Sequence, residues 1–185
     1  SVKGEVHVTM FNDPGTTKFS DYKDAYRTVK LERDGDGIVL MTLHHEGGPY
    51  QWGPQGAGRA HTHTELAQAV GNLGRDPDNK IVILTGTGDV FSGPPASTGH
   101  VLPGGPKEWE YRRFYSAQIA SGLLGLPLTI SCINGPAYRH AEIPMLADVI
   151  LAGEDALVQD SAHFPSGVVP GDGIASTAAA TSRCP

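Results

Sequence analysis

The sequence predicts an α/β fold with a covered sheet, on three observations. Lys80–Leu84 (KIVIL) and Val149–Ala152 (VILA) are apolar runs of strand length, and Leu128–Ile133 (LTISCI) is a third, uncharged run, which suggests strands buried on both faces. Segments with helical spacing of apolar residues lie between such runs. Twenty-four glycines and 14 prolines among 185 residues supply turns for many short elements.

Taken in order, residues 1–25 are polar, contain Pro14-Gly15 and show little periodicity, which predicts an N-terminal arm. Leu31–Arg33 and Ile38–Leu43 flank Asp34-Gly35-Asp36-Gly37, and that turn chemistry predicts a hairpin. Residues 46–60 form a long Gly-rich loop, a feature more often functional than idle in a compact domain. Thr64–Leu73 places Leu66, Ala69, Val70 and Leu73 at helical spacing. The Lys80–Leu84 strand runs into TGTGD, which lacks the G-x-x-x-x-G-K of a phosphate loop and reads as a strand-ending turn. Lys107–Leu124 is the longest helical pattern, with Trp109, Phe114, Ile119 and Leu123 inward. Leu128–Ile133, Val149–Ala152 and Ala156–Val158 complete the expected strands. No internal repeat or low-complexity segment is present.

The length suits one domain with a sizeable core. Hydrophobic residues at 39% and charged residues at 18% are values of a globular chain, not a disordered one. A formal charge of -6, with basic residues scattered singly apart from Arg112-Arg113, argues against a nucleic-acid partner. The two cysteines, Cys132 and Cys184, make neither a disulfide framework nor a zinc site. No apolar run approaches the roughly 18 residues of a membrane span and no signal peptide opens the chain, so no membrane partner and a cytoplasmic location are expected.

Candidate chemistry concentrates between Ile133 and Gly173. This stretch holds an Asn134-Gly135-Pro136 turn, His140, His163 and, within a Gly/Pro-rich segment, Asp172. Histidine titrates near neutrality, and a carboxylate can set its tautomer and stabilise its cation. A His-carboxylate pair beside a second histidine suits water activation. His44-His45 and His61-Thr62-His63 lack partnered cysteines or H-E-x-x-H spacing, so no metal is expected.

KIVILTGTGDVFSG, a helix, TISCINGPA, LADVILAGEDALV and FPSGVVPGDG follow one another in the order found in the crotonase (enoyl-CoA hydratase/isomerase) superfamily, which the chain resembles over roughly residues 28–174. Within it, HAEIP, QDSAHFPSG and the GDG after Pro170 are more similar to the β-diketone hydrolases of the 6-oxocamphor hydrolase type than to the CoA enzymes. The resemblance implies a crotonase-like spiral of ββα units over residues 26–174, a divergent tail over 175–185, and a homo-oligomer, a trimer or pair of trimers. After Gly173 the chain leaves the family pattern, so the fold is expected to be short at its C-terminal end and to expose apolar surface.

Departures from the family pattern bear on function. The Gly-rich run that follows NGxA in typical members, one half of a backbone oxyanion hole, is here Tyr138-Arg139-His140-Ala141. The other donor position aligns with Pro95, which has no N–H. His140 is a side-chain donor able to replace them. His163 stands where hydratases carry their second catalytic glutamate, and Asp172 where some isomerases place an acid. Glu142 aligns with the first family glutamate; it also suits the start of a helix. By this resemblance His140, His163 and Asp172 are the catalytic candidates, and Trp52, His63 and Glu142 line the substrate pocket.

The reaction this set implies is hydrolytic retro-Claisen cleavage of the C–C bond between two carbonyls, with a small-molecule diketone as partner and no cofactor. Two alternatives stay open: a hydratase- or isomerase-type enzyme acting on CoA thioesters, and an incomplete, non-catalytic homologue.

Overall fold

The computed structural model describes residues 15–52, 61–93 and 117–159. Its centre is a sheet of strands β1 (Val29–Arg33), β2 (Ile38–Leu43), β3 (Ile81–Thr85), β4 (Leu128–Ile133) and β5 (Val149–Ala152), in that spatial order. β1 and β2 are antiparallel, and every later pairing is parallel. A parallel neighbour requires a crossover; helix α2 (His61–Arg75) follows β2, helical residues 117–124 (α3) follow β3, and α4 (Glu142–Met145) follows β4.

The hairpin, the α2 helix and the β3, β4 and β5 strands form where the sequence predicts them: β2, β4 and β5 keep their expected bounds, β1 and β3 shift by a residue or two, and α2 starts three residues earlier and ends two later. The hairpin turn is built by Asp34, whose carboxylate accepts the N–H groups of Asp36 and Ile38. Gly37 has φ +85°, and a Cβ there would lie 2.4 Å from the Asp78 carbonyl, so glycine is required.

Register puts one residue set on the core face: Val29 and Leu31, Val39 and Met41, Val82 and Leu84, Thr129 and Ser131. Leu66, Ala69, Val70 and Leu73 of α2 and Ile119 and Leu123 of α3 belong to the same buried cluster. Gly122 lets α3 approach α2, since a Cβ there would meet Val70 Cγ1 at 2.5 Å.

Two expectations need correction. Among the described residues the second face of the sheet is only partly enclosed: Ile38, Leu40, Ile81 and Ile83 are half-buried, and β5 is exposed along its whole length. An unbroken apolar run records only that neither side chain set is polar, not that both are enclosed. Ala156–Val158 is no strand either; it contributes a single bridge, Val158 to Ala137. A turn at Glu154 and Asp155 separates it from β5.

Within the expected N-terminal arm, Phe19–Tyr22 form a short helix, α1. Tyr22 is buried and donates to Asp76 at 2.9 Å, while Asp76 and Asn79 both accept from Arg33 at 3.0 Å. Burial raises the Tyr22 phenol above its ordinary value, which keeps it a donor. This network ties α1 and β1 to the end of α2. At the other end of α2, buried Glu65 accepts from the Arg27 and Thr28 N–H groups and the Thr28 hydroxyl. Among the described residues no helix is long and apolar enough to cross a membrane.

The inward positions Trp109 and Phe114, the donor position Pro95, the loop residues 53–60 and the tail 175–185 lie outside the described residues.

Candidate functional site

The chain leaves β2, β3 and β4 on the same edge of the sheet, because these strands are parallel. In open α/β sheets the crevice beyond the carboxyl ends of the strands is where ligands bind. Here the segments leaving those strands pair again. Gln51 bridges Gly93, Ser92 bridges Ala137, and Ala137 bridges Val158, all parallel. Trp52 N–H donates to the Gly93 carbonyl at 2.7 Å, Tyr138 N–H to Ser92 at 2.8 Å and Ala137 N–H to Leu157 at 2.7 Å. This secondary ladder sets the positions of Trp52 and of the 137–140 segment relative to each other.

The Asn134-Gly135-Pro136 turn locks the ladder onto β3. Asn134 accepts the Gly86 N–H at 3.0 Å and donates to the Gly88 carbonyl at 2.7 Å. A Cβ on Gly135 would fall 2.0 Å from the Asp89 carbonyl oxygen. TGTGD is the expected strand-ending turn, with a Thr87–Val90 bridge and Gly88 at φ +72°.

Four of the six candidate residues meet at this edge. Trp52, 3% exposed, lies with its ring 4.2 Å from that of His140 and 4.5 Å from that of His63, centroid to centroid. His63, from the first turn of α2, and His140 are perpendicular, and their Nε2 atoms are 3.2 Å apart. His140 Nδ1 is 2.6 Å from Glu142 Oε1. Tyr50 packs edge-on against Trp52 from behind, and burial raises its phenol above the ordinary range. The side chains of His140 and Glu142 are 13% and 6% exposed, so the pair lies in a site where a hydrogen bond to charge is worth more than in water.

Backbone geometry explains how His140 and Glu142 meet. Residues two apart on a helix do not face one another. His140 has φ +52°, a left-handed conformation in which histidine is tolerated better than most residues. It turns the chain directly into α4, whose Ile143 N–H donates to the His140 carbonyl at 3.1 Å. Glu142 is the first residue of α4, as a helix-start carboxylate should be, and its side chain also reaches back to the histidine. The H-x-E spacing was the available signal for this contact; the positive φ that makes it possible was not visible in it. Arg139, beside His140, is largely buried, and that burial lowers its pKa.

His163 and Asp172 lie outside the described residues. The N–H groups of Ala137 and Tyr138 are engaged in the ladder. Among the described residues no group of three His, Cys, Asp or Glu side chains could hold a metal ion.

No family model matches the chain, and no curated protein matches it either. Solved structures do. ABDH, a β-diketone hydrolase from the cyanobacterium Anabaena sp. PCC 7120 bound to (S)-3-oxocyclohexyl acetic acid, is 31% identical with a TM-score of 0.71, covering 85% of this chain and 59% of that one. An enoyl-CoA hydratase from Mycobacterium avium subsp. paratuberculosis K-10 is 20% identical with a TM-score of 0.65, over 84% of this chain and 56% of that one. An enoyl-CoA hydratase from Geobacillus kaustophilus HTA426 is 18% identical with a TM-score of 0.66, over 83% and 56%. The chain thus spans well under two thirds of the length of these structures, all of them enzymes.

Proposed function

From a chain built on the fold of the crotonase superfamily, we propose a cofactor-independent hydrolase that cleaves the C–C bond of a cyclic β-diketone. The observation that carries the reading is the convergence of Trp52, His63, His140 and Glu142 beyond the strand ends, in a chain similar to a β-diketone hydrolase.

In the proposed reaction water adds to one carbonyl, with His163, oriented by Asp172, as the base. His140 donates to the oxyanion of the adduct. The C–C bond then breaks, its electron pair leaving as an enolate stabilised by the second carbonyl, and a proton returns to carbon. The product is the substrate plus one water, with no change in oxidation level. Proton transfer of this kind contributes roughly 100-fold to 10,000-fold, and one oxyanion donor about 100-fold to 1000-fold. Trp52 and His63 form the wall against which an apolar ring would lie. The N–H of Tyr138, first of the run that stands in place of the family's glycines, is engaged in the ladder, which supports a side-chain donor at that position.

A homo-oligomer is part of the proposal. The exposed apolar side chains of Val149, Ile150, Leu151, Leu157 and Val158 support it.

The test is incubation with a panel of cyclic and bicyclic β-diketones, with mass spectrometry following the gain of one water. Turnover that disappears in His163→Ala and His140→Asn proteins is the expected result. Turnover that survives His163→Ala removes that residue as the base. No turnover of any diketone, with crotonyl-CoA hydrated instead, would end the proposal.

A further inference from the structure

His140 is held at both ring nitrogens: Nδ1 lies 2.6 Å from Glu142 Oε1, and Nε2 lies 3.2 Å from His63 Nε2. We infer that Glu142 and His63 are positioning residues for His140, forming a Glu142–His140–His63 relay in which Glu142 holds His140 as the Nδ1–H tautomer and the two Nε2 atoms share one proton.

The proton inventory leads there. A carboxylate only accepts, so the proton of the 2.6 Å contact sits on His140 Nδ1. The ring partner of a histidine sets which nitrogen remains available; here Nε2 remains. Two ring nitrogens at 3.2 Å with a proton on each would oppose donor to donor, and with none would oppose lone pair to lone pair. One proton therefore lies between them. With His140 neutral, its Nε2 is bare and His63 is the donor.

The same geometry gives the relay a direction. Protonation of the His63–His140 pair lets the Nε2 proton cross to His140. The bond between His63 Nε2 and hydrogen breaks, one forms at His140 Nε2, and the positive charge comes to rest on the imidazole beside the carboxylate. Among the described residues, the titratable groups around this ring on the packed elements include His63 on α2, Arg139 in the preceding turn and Glu142 on α4. Trp52 covers the ring at 4.2 Å and carries no charge. A substrate oxygen that displaces His63 then meets an imidazolium Nε2–H backed by Glu142. This last step rests on the diketone reading; the tautomer and the shared proton do not.

Long-range 1H–15N spectra of histidine rings in the full chain, assigned with His140→Asn and His63→Asn proteins, test the relay. At alkaline pH, His140 is expected with a protonated Nδ1 and a bare Nε2. Glu142→Gln should lose that single tautomer and lower the His140 midpoint by about one pH unit or more, the usual scale for removing an adjacent opposite charge. A His140 protonated at Nε2 in the unaltered chain, or a midpoint unmoved in Glu142→Gln, would overturn the inference. Should Glu142→Gln fail to fold, the tautomer of the unaltered chain alone decides. Diketone turnover is scored separately. The expected tautomer without turnover ends the diketone reading and keeps the relay, and turnover with the other tautomer does the reverse.

Discussion

The indole of Trp52 lies across the imidazole of His140 at 4.2 Å between centroids, tilted by 49°. Trp52 comes from the segment after β2 and His140 from the segment after β4, so their contact depends on the ladder running 51–93 and 92–137. Tyr50, edge-on at 4.9 Å, backs the indole. The site is therefore an aromatic corner in which His140 meets a carboxylate at one ring nitrogen and a second imidazole at the other.

Removing the indole should loosen that corner. Trp52→Ala is expected to lower kcat/KM for a hydrolysed diketone by roughly 100-fold, the scale of a misplacement near 1 Å. It should also lower stability by about 3–5 kcal/mol. Trp52→Phe should retain most of both. Steady-state kinetics with thermal melts of the two variants check this; equal activity in Trp52→Ala would remove Trp52 from the pocket wall.

The backbone at His140 gives a second expectation. At φ +52° asparagine is tolerated and a β-branched residue is not. His140→Asn should melt near the unaltered chain, whereas His140→Val should add roughly 1–2 kcal/mol of strain. For a chain of this size that is about 2–8 °C in Tm. Differential scanning calorimetry of the pair decides it, and coincident melts would mean that the positive φ is not required.

Glycine substitutions separate close approach from mere flexibility. Gly135→Ala forces a Cβ to 2.0 Å from the Asp89 carbonyl and should destabilise by about 3 kcal/mol or more. It should also disturb the site, because the turn carries the 137–140 segment. Gly71, inside α2, meets nothing within 4 Å; Gly71→Ala should stabilise by about 0.5–1 kcal/mol. Urea unfolding of both proteins is the measurement, and opposite signs are the expected result.

Asp148 carries a pH prediction. Its carboxylate accepts the Thr129 N–H at 2.8 Å and the Thr129 hydroxyl at 2.7 Å, and these bonds hold its pKa below the ordinary value of 3.8. A depressed folded-state pKa means stabilisation that is complete above the unfolded value and lost as pH falls through the folded one. Asp148→Asn should therefore be less stable than the unaltered chain near pH 6, with the gap closing as pH falls below 4. Urea midpoints across that range check the trend; a gap independent of pH would assign the loss to geometry instead of charge.

The hairpin, α2, β3, β4, β5 and both turns could be read from the chain because each rests on local chemistry. Asp34 closes its own turn, Leu66 to Leu73 repeat at helical spacing, and Lys80–Leu84 is apolar over strand length. The reading failed where partners decide. Ala156–Val158 has strand composition, yet one bridge to Ala137 is all the ladder it makes, and β5 is apolar yet exposed.

Site residues divide in the same way. Trp52, His63, His140 and Glu142 could be nominated individually, because the family resemblance places pocket and catalytic residues at their positions. That the two imidazoles share a contact, and that Glu142 serves His140, required the fold. His63 and His140 are separated by 77 positions and meet only because parallel strands bring successive loops to one edge of the sheet. Residue type and local spacing thus determined the elements and the chemistry available, while the crossovers and a single left-handed residue decided which groups face each other. Propensity acts over a few neighbouring bonds; juxtaposition is set by how the whole sheet is connected.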